Sequence, residues 1–313
     1  MSAQTERLSE PLSKEDTVAR IRVLKKEMNA VIMAHNYQRP EIQDIADFVG
    51  DSLELARKAT QLDFDILIMC AVHFMAENSA ILNPGRTVLL AEASAGCPMA
   101  NMIDVHDLRE WKARYPSAAV VCYVNTSAAV KAESDICCTS ANALKVVESV
   151  PEKDILFIPD RCLAHWVSTK TKKNIIAYPG YCITHKRLTA DLVRKAKEKH
   201  PEAVVIAHPE CEAEVLDLAD AVLSTSQMIK YAKESPARVF LIGTEEGLLH
   251  RLRKENPDRV FYMISNAMIC PNMKRTTLER LLKTMELKRN KIVIPEDIRL
   301  KAKRALDRML ALP

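Results

Sequence analysis

The chain has few glycines, six among 313 residues. The two commonest glycine-rich phosphate loops, G-x-G-x-x-G and G-x-x-x-x-G-K-[ST], need glycines at close spacing so that the backbone can approach the phosphates of a nucleotide. Neither motif can be built from the glycines present, which are Gly50, Gly85, Gly96, Gly180, Gly243 and Gly247. This absence argues against the usual dinucleotide- and ATP-binding enzymes.

The chain also lacks a strong net charge and a long apolar run. Its formal charge is +4 and no basic cluster alternates with aromatic residues, so nucleic-acid binding is not expected. The opening segment MSAQTERLSEPLSKED is polar, and the apolar runs are too short to span a membrane. We therefore expect a cytoplasmic protein with no membrane partner. In that reducing compartment, nine cysteines point to metal binding, redox chemistry or core packing rather than to disulfides.

The main positive feature is a threefold internal repeat, in which each unit has three apolar runs. The first runs are VIMAHNY, VVCYVNT and VVIAHPE, and the second are DILIMC, DILFIP and RVFLIG. The third are TVLLAEASAGC, NIIAYPGYC and RVFYMISNAMIC, which end in Cys97, Cys182 and Cys270. Features that keep their spacing in this way indicate one structural unit used three times.

The segments between these runs predict the fold. Several have apolar residues at helical spacing, for example DSLELARKATQL and TSQMIKYAKES. Apolar strands that each precede a helix are typical of parallel sheets buried on both faces. We predict an α/β protein of three homologous αβα sandwich domains around a pseudo-threefold axis, with a central active-site cavity. The predicted bounds are 1–104 (with an N-terminal helix), 105–190 and 191–275 for the repeats, and 276–313 for C-terminal helices that pack back on the core.

The three repeated cysteines predict a metal site. Ligands of open parallel sheets bind beyond the carboxyl ends of the strands, and the cysteines follow strands there. Three converging thiolates suit zinc with one further ligand or water, or a [4Fe–4S] cluster with one open iron. The alternative is packing at equivalent core positions. We interpret the other cysteines as packing residues: Cys70, Cys122, Cys137, Cys138, Cys162 and Cys211.

A hydroxyl-bearing tripeptide precedes a predicted helix in each repeat. These are GDS at 50–52, CTS at 138–140 and STS at 224–226. Ser and Thr cap helix N-termini, whose partial positive charge binds phosphate or carboxylate. One such turn is explained by ordinary capping, whereas three facing one cavity would suit a substrate with several anionic groups.

Titratable residues for acid–base chemistry also follow the strands. His208 and Glu210 stand close together, as do His35 and Tyr37. His185 is three residues after a cysteine, a spacing that also suits a pair of metal ligands. We interpret the remaining histidines as surface or packed residues: His73, His106, His165, His200 and His250.

Seven separate motifs carry a resemblance to a known family. They are MAHNYQRPEIQDIADFVGDSLELA, AGCPMA, YVNTSAAVKAESDICCTSANA, YCITH, HPEC, ADAVLSTSQMIKYA and NAMICPNMKRTTLE. Together they resemble quinolinate synthases, the iron–sulfur enzymes of NAD biosynthesis, over about residues 17–300. The resemblance implies a triplicated α/β fold and condensation of iminoaspartate with dihydroxyacetone phosphate to quinolinate, with release of phosphate and water. An iminoaspartate-forming enzyme would be the supplier.

The resemblance also implies the site residues. It places a [4Fe–4S] cluster on Cys97, Cys182 and Cys270, with the open iron as a Lewis acid. It gives catalytic roles to Tyr37, Tyr123, His208 and Glu210. It gives substrate contacts to His35, Ser52, Asn125, Ser140, His185, Ser224 and Thr225.

Two places depart from the pattern of the family. Cys138 and Ala141 stand where valine and serine are usual, and Cys162 and Ala164 stand where asparagine and glycine are expected. The second pair lies near a helix start, so a hydrogen bond that supports the cavity is expected to be lost. The predicted cluster ligands are unaffected.

Two rival interpretations make different predictions. A zinc-dependent lyase or aldolase for small anionic substrates would use Cys182, His185 and His208, and would be colourless and indifferent to oxygen. A non-catalytic anion-binding or scaffold protein would hold no metal, and its cysteines would only pack. The cluster interpretation predicts a brown, oxygen-labile protein.

Overall fold

The computed structural model describes residues 12–312, which form three four-stranded parallel sheets. The first contains β1 (Ala30–His35), β2 (Phe48–Gly50), β3 (Ile66–Cys70) and β4 (Thr87–Leu90). The second contains β5 (Ala119–Tyr123), β6 (Ile136–Cys138), β7 (Asp154–Ile158) and β8 (Asn174–Ala177). The third contains β9 (Val204–Ala207), β10 (Ala221–Val222), β11 (Val239–Gly243) and β12 (Val260–Met263). All three have the same order, second, first, third and fourth strand, so the predicted α/β class with parallel sheets is confirmed.

The sequence pattern missed the second strand of every sheet. β2, β6 and β10 are three, three and two residues long, too short to show a period of their own. They lie at the sheet edge directly before the predicted hydroxyl-bearing turns, and they therefore set where those turns stand.

An aspartate ties each of these short strands to its neighbour. Asp47 accepts a hydrogen bond from the N–H of Ile32 (2.9 Å), and its own N–H donates to the Ile32 carbonyl (2.8 Å). The same reciprocal pair recurs between Asp135 and Val120 and between Asp220 and Val205. Because a charged acceptor strengthens a hydrogen bond, these pairs hold a very short strand in one register.

Helices cover the sheets and connect them. They are α1 (Lys14–Glu27), α2 (Pro40–Ile45), α3 (Ser52–Ala59), α4 (His73–Leu82), α5 (Val105–Arg114), α6 (Ala128–Ala132), α7 (Ala143–Ser149), α8 (Arg161–Ser168), α9 (Ala190–Lys199), α10 (Ala213–Leu216), α11 (Thr225–Glu234), α12 (Leu248–Glu255), α13 (Leu278–Leu287) and α14 (Glu296–Leu310). The two predicted helices per unit are present. The short helices α2, α6 and α10 and the connecting helices α5 and α9 were not predicted.

The last two helices pack on the first two units. α13 lies against α1 in an apolar cluster with β1 that includes Ile21 and Leu281. α14 lies against α6 and β6, with Leu306 and Met309 fully buried. The carboxyl end of the chain therefore reinforces units far from it in sequence. Within residues 12–312, no helix is both long and apolar enough to cross a membrane.

Candidate active site

One cavity is lined by side chains from all three units. The loops after β1, β5 and β9 contribute polar residues to it, as expected for the carboxyl ends of parallel strands. The sequence-predicted site residues in its lining are His35, Tyr37, Ser52, Cys97, Tyr123, Asn125, Ser140, Cys182, His185, His208, Glu210, Thr225 and Cys270. Ser224 is buried and caps α11 instead of lining the cavity.

The three repeated cysteines line this cavity together. Each is half-buried and lies in a turn that leads into a short 3₁₀ segment: 99–101, 185–187 or 273–275. Burial raises the pKa of the Cys97 thiol to about 12 and that of the Cys182 thiol well above its ordinary value. Burial likewise raises the pKa of Cys270. Three thiols from three units at one cavity form a donor set that fits a metal centre with three cysteine ligands.

A continuous chain of hydrogen bonds, with one short ion-pair contact between His185 and Glu210, crosses the cavity wall. Tyr37 Oη lies 2.5 Å from Thr244 Oγ1, which lies 2.9 Å from His185 Nε2. His185 Nδ1 lies 2.9 Å from Glu210 Oε2 and 3.2 Å from Cys182 Sγ. Tyr123 Oη donates to Glu210 Oε1 at 2.5 Å. With the proton on Nδ1 of the histidine, every bond in the chain has one donor and one acceptor. The chain thus joins two tyrosines to one carboxylate.

Thr244 is the member of this chain that the sequence did not reveal. It directly follows β11, whereas the equivalent positions after β3 and β7 hold Ala71 and Pro159. A search for residues that recur in all three units therefore does not find Thr244. The only available signal is a hydroxyl at the carboxyl end of a strand.

Glu210 is an ionised group of the site. Burial opposes its charge, but the contact with His185 and the hydrogen bond from Tyr123 lower the pKa of Glu210 below its ordinary value. The tyrosines behave in the opposite way, because burial and the negative Glu210 raise the pKa of both Tyr37 and Tyr123 well above 10. At neutral pH the site therefore holds a carboxylate between two protonated phenols.

Two other histidines of the cavity are neutral. Burial lowers the pKa of His35 to about 4 and that of His208 to about 3. His208 Nε2 lies 3.2 Å from Ser140 Oγ, and the backbone N–H of Tyr37 donates to His35 Nδ1. At neutral pH these rings are hydrogen-bonding groups and not cations.

This burial predicts a loss of stability in mild acid. From pH 6.5 down to about 4, the unfolded chain protonates His35 and His208 while the folded chain does not, so the free energy of unfolding falls as the pH falls. Each histidine adds a slope of up to about 1.4 kcal/mol per pH unit. Urea unfolding of the metal-free chain between pH 7.5 and 5 measures the slope. His208→Asn should reduce the slope by about the contribution of one histidine. His106→Gln, at an exposed position, should leave the slope unchanged. Equal slopes in all three proteins would contradict the assignment.

The hydroxyl-bearing turns differ from the prediction in their capping. Asp51, not Ser52, is the N-cap of α3, because its carboxylate accepts from the N–H groups of Leu53 and Glu54. Ser52 is the first residue of the helix, and its side chain remains available to the cavity. In the second unit α7 begins only at Ala143, so Ser140 stands in a turn before the helix.

The cavity presents neutral donors to an anion. Within residues 12–312, no lysine or arginine lines it. The helix starts at Ser52 and Thr225 add backbone N–H groups and the positive end of the helix dipole. A carboxylate or phosphate bound here would have to rely on helix dipoles and neutral hydrogen-bond donors.

The ligand set of the zinc interpretation is not the one that the geometry brings together. Cys182, His185 and Glu210 offer ligand atoms within 4.8 Å of one another, and His208 is not in this group. A second acidic group, Asp104, His106 and Asp107, lies mostly exposed, and the two aspartates form the capping box of α5. The six cysteines interpreted as packing residues are all buried, and none of them lines the cavity.

Comparison with known proteins identifies the family. Residues 19–311 match the family model for NadA, the quinolinate synthetase A protein. The chain belongs to the quinolinate synthetase A protein family. It is 56% identical to the quinolinate synthase of Thermodesulfovibrio yellowstonii over 95% of this chain and 98% of the relative. It is 53% identical to quinolinate synthase 1 of Methanosarcina acetivorans, over 96% of this chain and 99% of the relative. The quinolinate synthase of Geobacter metallireducens is also 53% identical, over 95% of this chain and 98% of its own length.

Membership of the quinolinate synthetase A family confirms the resemblance stated from the motifs. The match extends across all three units and into α14, so it covers every element that contributes to the cavity. The zinc-lyase alternative is not favoured, since the relatives are quinolinate synthases over nearly their full length.

Proposed function

We propose that this chain is a quinolinate synthase that condenses iminoaspartate with dihydroxyacetone phosphate and releases phosphate and water. The reaction belongs to de novo NAD biosynthesis, and we propose a cytoplasmic location with an iminoaspartate-forming enzyme as supplier. A [4Fe–4S] cluster would be held by Cys97, Cys182 and Cys270. The observation that carries the proposal is that these three thiols, one from each unit, line the same cavity as the Tyr37–Tyr123 hydrogen-bond chain.

The cluster would supply an open iron that acts as a Lewis acid. The protein residues would supply binding and proton transfer. Ser52, Ser140 and Thr225 would bind the carboxylate and phosphate groups, together with the side-chain N–H group of Asn125. Ser224 would support this site from beneath by capping α11.

Proton transfer would be divided between two ends of the hydrogen-bond chain. Glu210 is ionised and can accept a proton from a substrate carbon or nitrogen. Tyr37 and Tyr123 stay protonated and can donate. His35 and His208, being neutral, would orient substrate oxygens without adding charge.

The arrangement of the units is part of the proposal. We propose that they surround a pseudo-threefold axis with the cavity at the centre, which agrees with contributions from each unit to its lining. The proposed domain bounds remain 1–104, 105–190, 191–275 and 276–313. Residues 1–11 and residue 313 of these domains lie outside the described residues.

The test is metal content and product formation. Protein purified without oxygen should contain about four iron and four acid-labile sulfide per chain, absorb broadly near 400 nm, and form quinolinate from the two substrates. One zinc without sulfide would overturn the proposal in favour of a zinc-assisted lyase. If the protein binds no metal even after reconstitution, the three cysteines are packing residues and not metal ligands.

A further inference from the structure

A buried ion pair beside the third cysteine has no part in the proposed chemistry. Glu245 follows β11 and its side chain is fully buried, while Lys274 lies four residues after Cys270 with its side chain 13% exposed. Lys274 Nζ lies 2.9 Å from Glu245 Oε1 and 3.1 Å from Oε2. Removing two charges from water is costly, so such a pair is stable only where further hydrogen bonds complete it. Those further bonds show what the pair does.

Glu245 holds two backbone N–H groups. Its Oε1 accepts from the N–H of Cys270 (3.0 Å), and its Oε2 accepts from the N–H of Gly247 (2.7 Å). A carboxylate offers two acceptor oxygens, whereas the isosteric amide of glutamine offers one. The cysteine turn and the loop after β11 are therefore fixed to each other by a group that glutamine cannot replace.

Lys274 extends this contact to the first unit. Its Nζ donates to the carbonyl oxygen of Tyr37 (2.8 Å), and Arg39 Nε donates to the Lys274 carbonyl (2.9 Å). The loops also touch directly, since a Cβ at Gly247 would lie 2.6 Å from the carbonyl carbon of Tyr37. A single connected network thus runs from the amide of Cys270 to the backbone of Tyr37.

We propose that Glu245 and Lys274 are positioning residues: Glu245 fixes the turn that carries Cys270, and Lys274 couples that turn to the backbone of Tyr37. The metal-binding and catalytic parts of this inference rest on the proposed function. The contact itself belongs to the protein alone and can be tested without metal.

The first test replaces Glu245. Glu245→Gln leaves one of two backbone N–H groups without an acceptor, and it should release iron to a chelator roughly 10- to 100-fold faster than the unaltered protein. Glu246→Gln is the matched control, because Glu246 is the next residue, carries the same charge and also faces Lys274, at 3.8 Å, but its side chain is 42% exposed. Iron release by Glu246→Gln should equal that of the unaltered protein.

A second pair of variants separates positioning from plain stability. Lys274→Met keeps the bond between Glu245 and Cys270, so it should lower kcat while iron release changes less than in Glu245→Gln. The double variant Glu245→Gln/Lys274→Met removes both buried charges and should regain much of the lost thermal stability. If the pair only stabilised the fold, the double variant that regains thermal stability would also regain slow iron release. If Glu245 positions the turn, iron release stays fast in the double variant. Glu245→Asp replaces Glu245→Gln in these tests if Glu245→Gln does not fold.

A metal-free measurement separates this inference from the proposed function. In the metal-free chain, hydrogen exchange of the 265–275 segment and alkylation of the Cys270 thiol should be faster in Glu245→Gln than in Glu246→Gln. Unaltered protein that holds no iron–sulfur cluster would overturn the proposed function, while this comparison would still decide whether Glu245 fixes the turn. Equal exchange and equal alkylation in the two variants would overturn the inference.

Discussion

Replacing Cys270 with alanine should remove the iron from the protein and abolish quinolinate formation. Cys97, Cys182 and Cys270 line one cavity from three different units, and a cluster with three protein ligands loses a third of its attachment when any one is removed. Iron per chain should fall from about four to less than one in protein purified without oxygen. Cys97→Ala and Cys182→Ala should give the same result, because the three positions are equivalent in the repeat.

The control for this prediction is a cysteine that lies in a strand and away from the cavity. Cys70 ends β3, is fully buried and does not line the cavity. Cys70→Ala should keep its iron and its activity and lose only a modest amount of stability from the small cavity left behind. A Cys270→Ala protein with full iron content would contradict the ligand assignment, and a Cys70→Ala protein without iron would show that iron loss is not specific.

The sequence was sufficient for those parts of the site that repeat. The polar strand ends recur in every unit, and each unit supplies one of the three site cysteines, so each copy supported the interpretation of the other two. The structure brings these cysteines to one cavity. Capping was harder to predict. In GDS both Asp51 and Ser52 can cap a helix, and only the geometry shows that Asp51 does so.

Contacts between units were beyond the reach of the pattern. Thr244 joins Tyr37 across 207 positions of the sequence, and Lys274 reaches the Tyr37 carbonyl across 237. The positions equivalent to Thr244 hold alanine and proline, so its role depends on the side chain it meets and not on a repeated signature. Local propensity describes strands and helices, whereas these contacts arise only when the units are packed together.

Replacing Glu210 with glutamine should lower kcat by roughly 10²- to 10⁴-fold, the usual contribution of a positioned acid–base group. Both carboxylate oxygens are engaged, Oε1 by Tyr123 Oη and Oε2 by His185 Nδ1. Glutamine has nearly the same shape, but its amide cannot take up a proton and offers only one acceptor oxygen to the two donors. Iron content should remain that of the unaltered protein, because Glu210 is not one of the three proposed cluster ligands. Steady-state kinetics together with iron analysis measures both.

Glu212→Gln is the control for the loss of a nearby carboxylate that lies outside the cavity. Glu212 stands two residues further along the same loop, pairs with Arg161 and does not line the cavity, so its loss should leave kcat within about twofold. Tyr123→Phe should lower kcat less than Glu210→Gln does, because it removes one hydrogen-bond donor and leaves the carboxylate in place. Unchanged kcat in Glu210→Gln would exclude Glu210 as the base. Iron loss in that variant would instead make Glu210 a residue that supports the metal centre, since Cys182, His185 and Glu210 lie within ligand distance of one another.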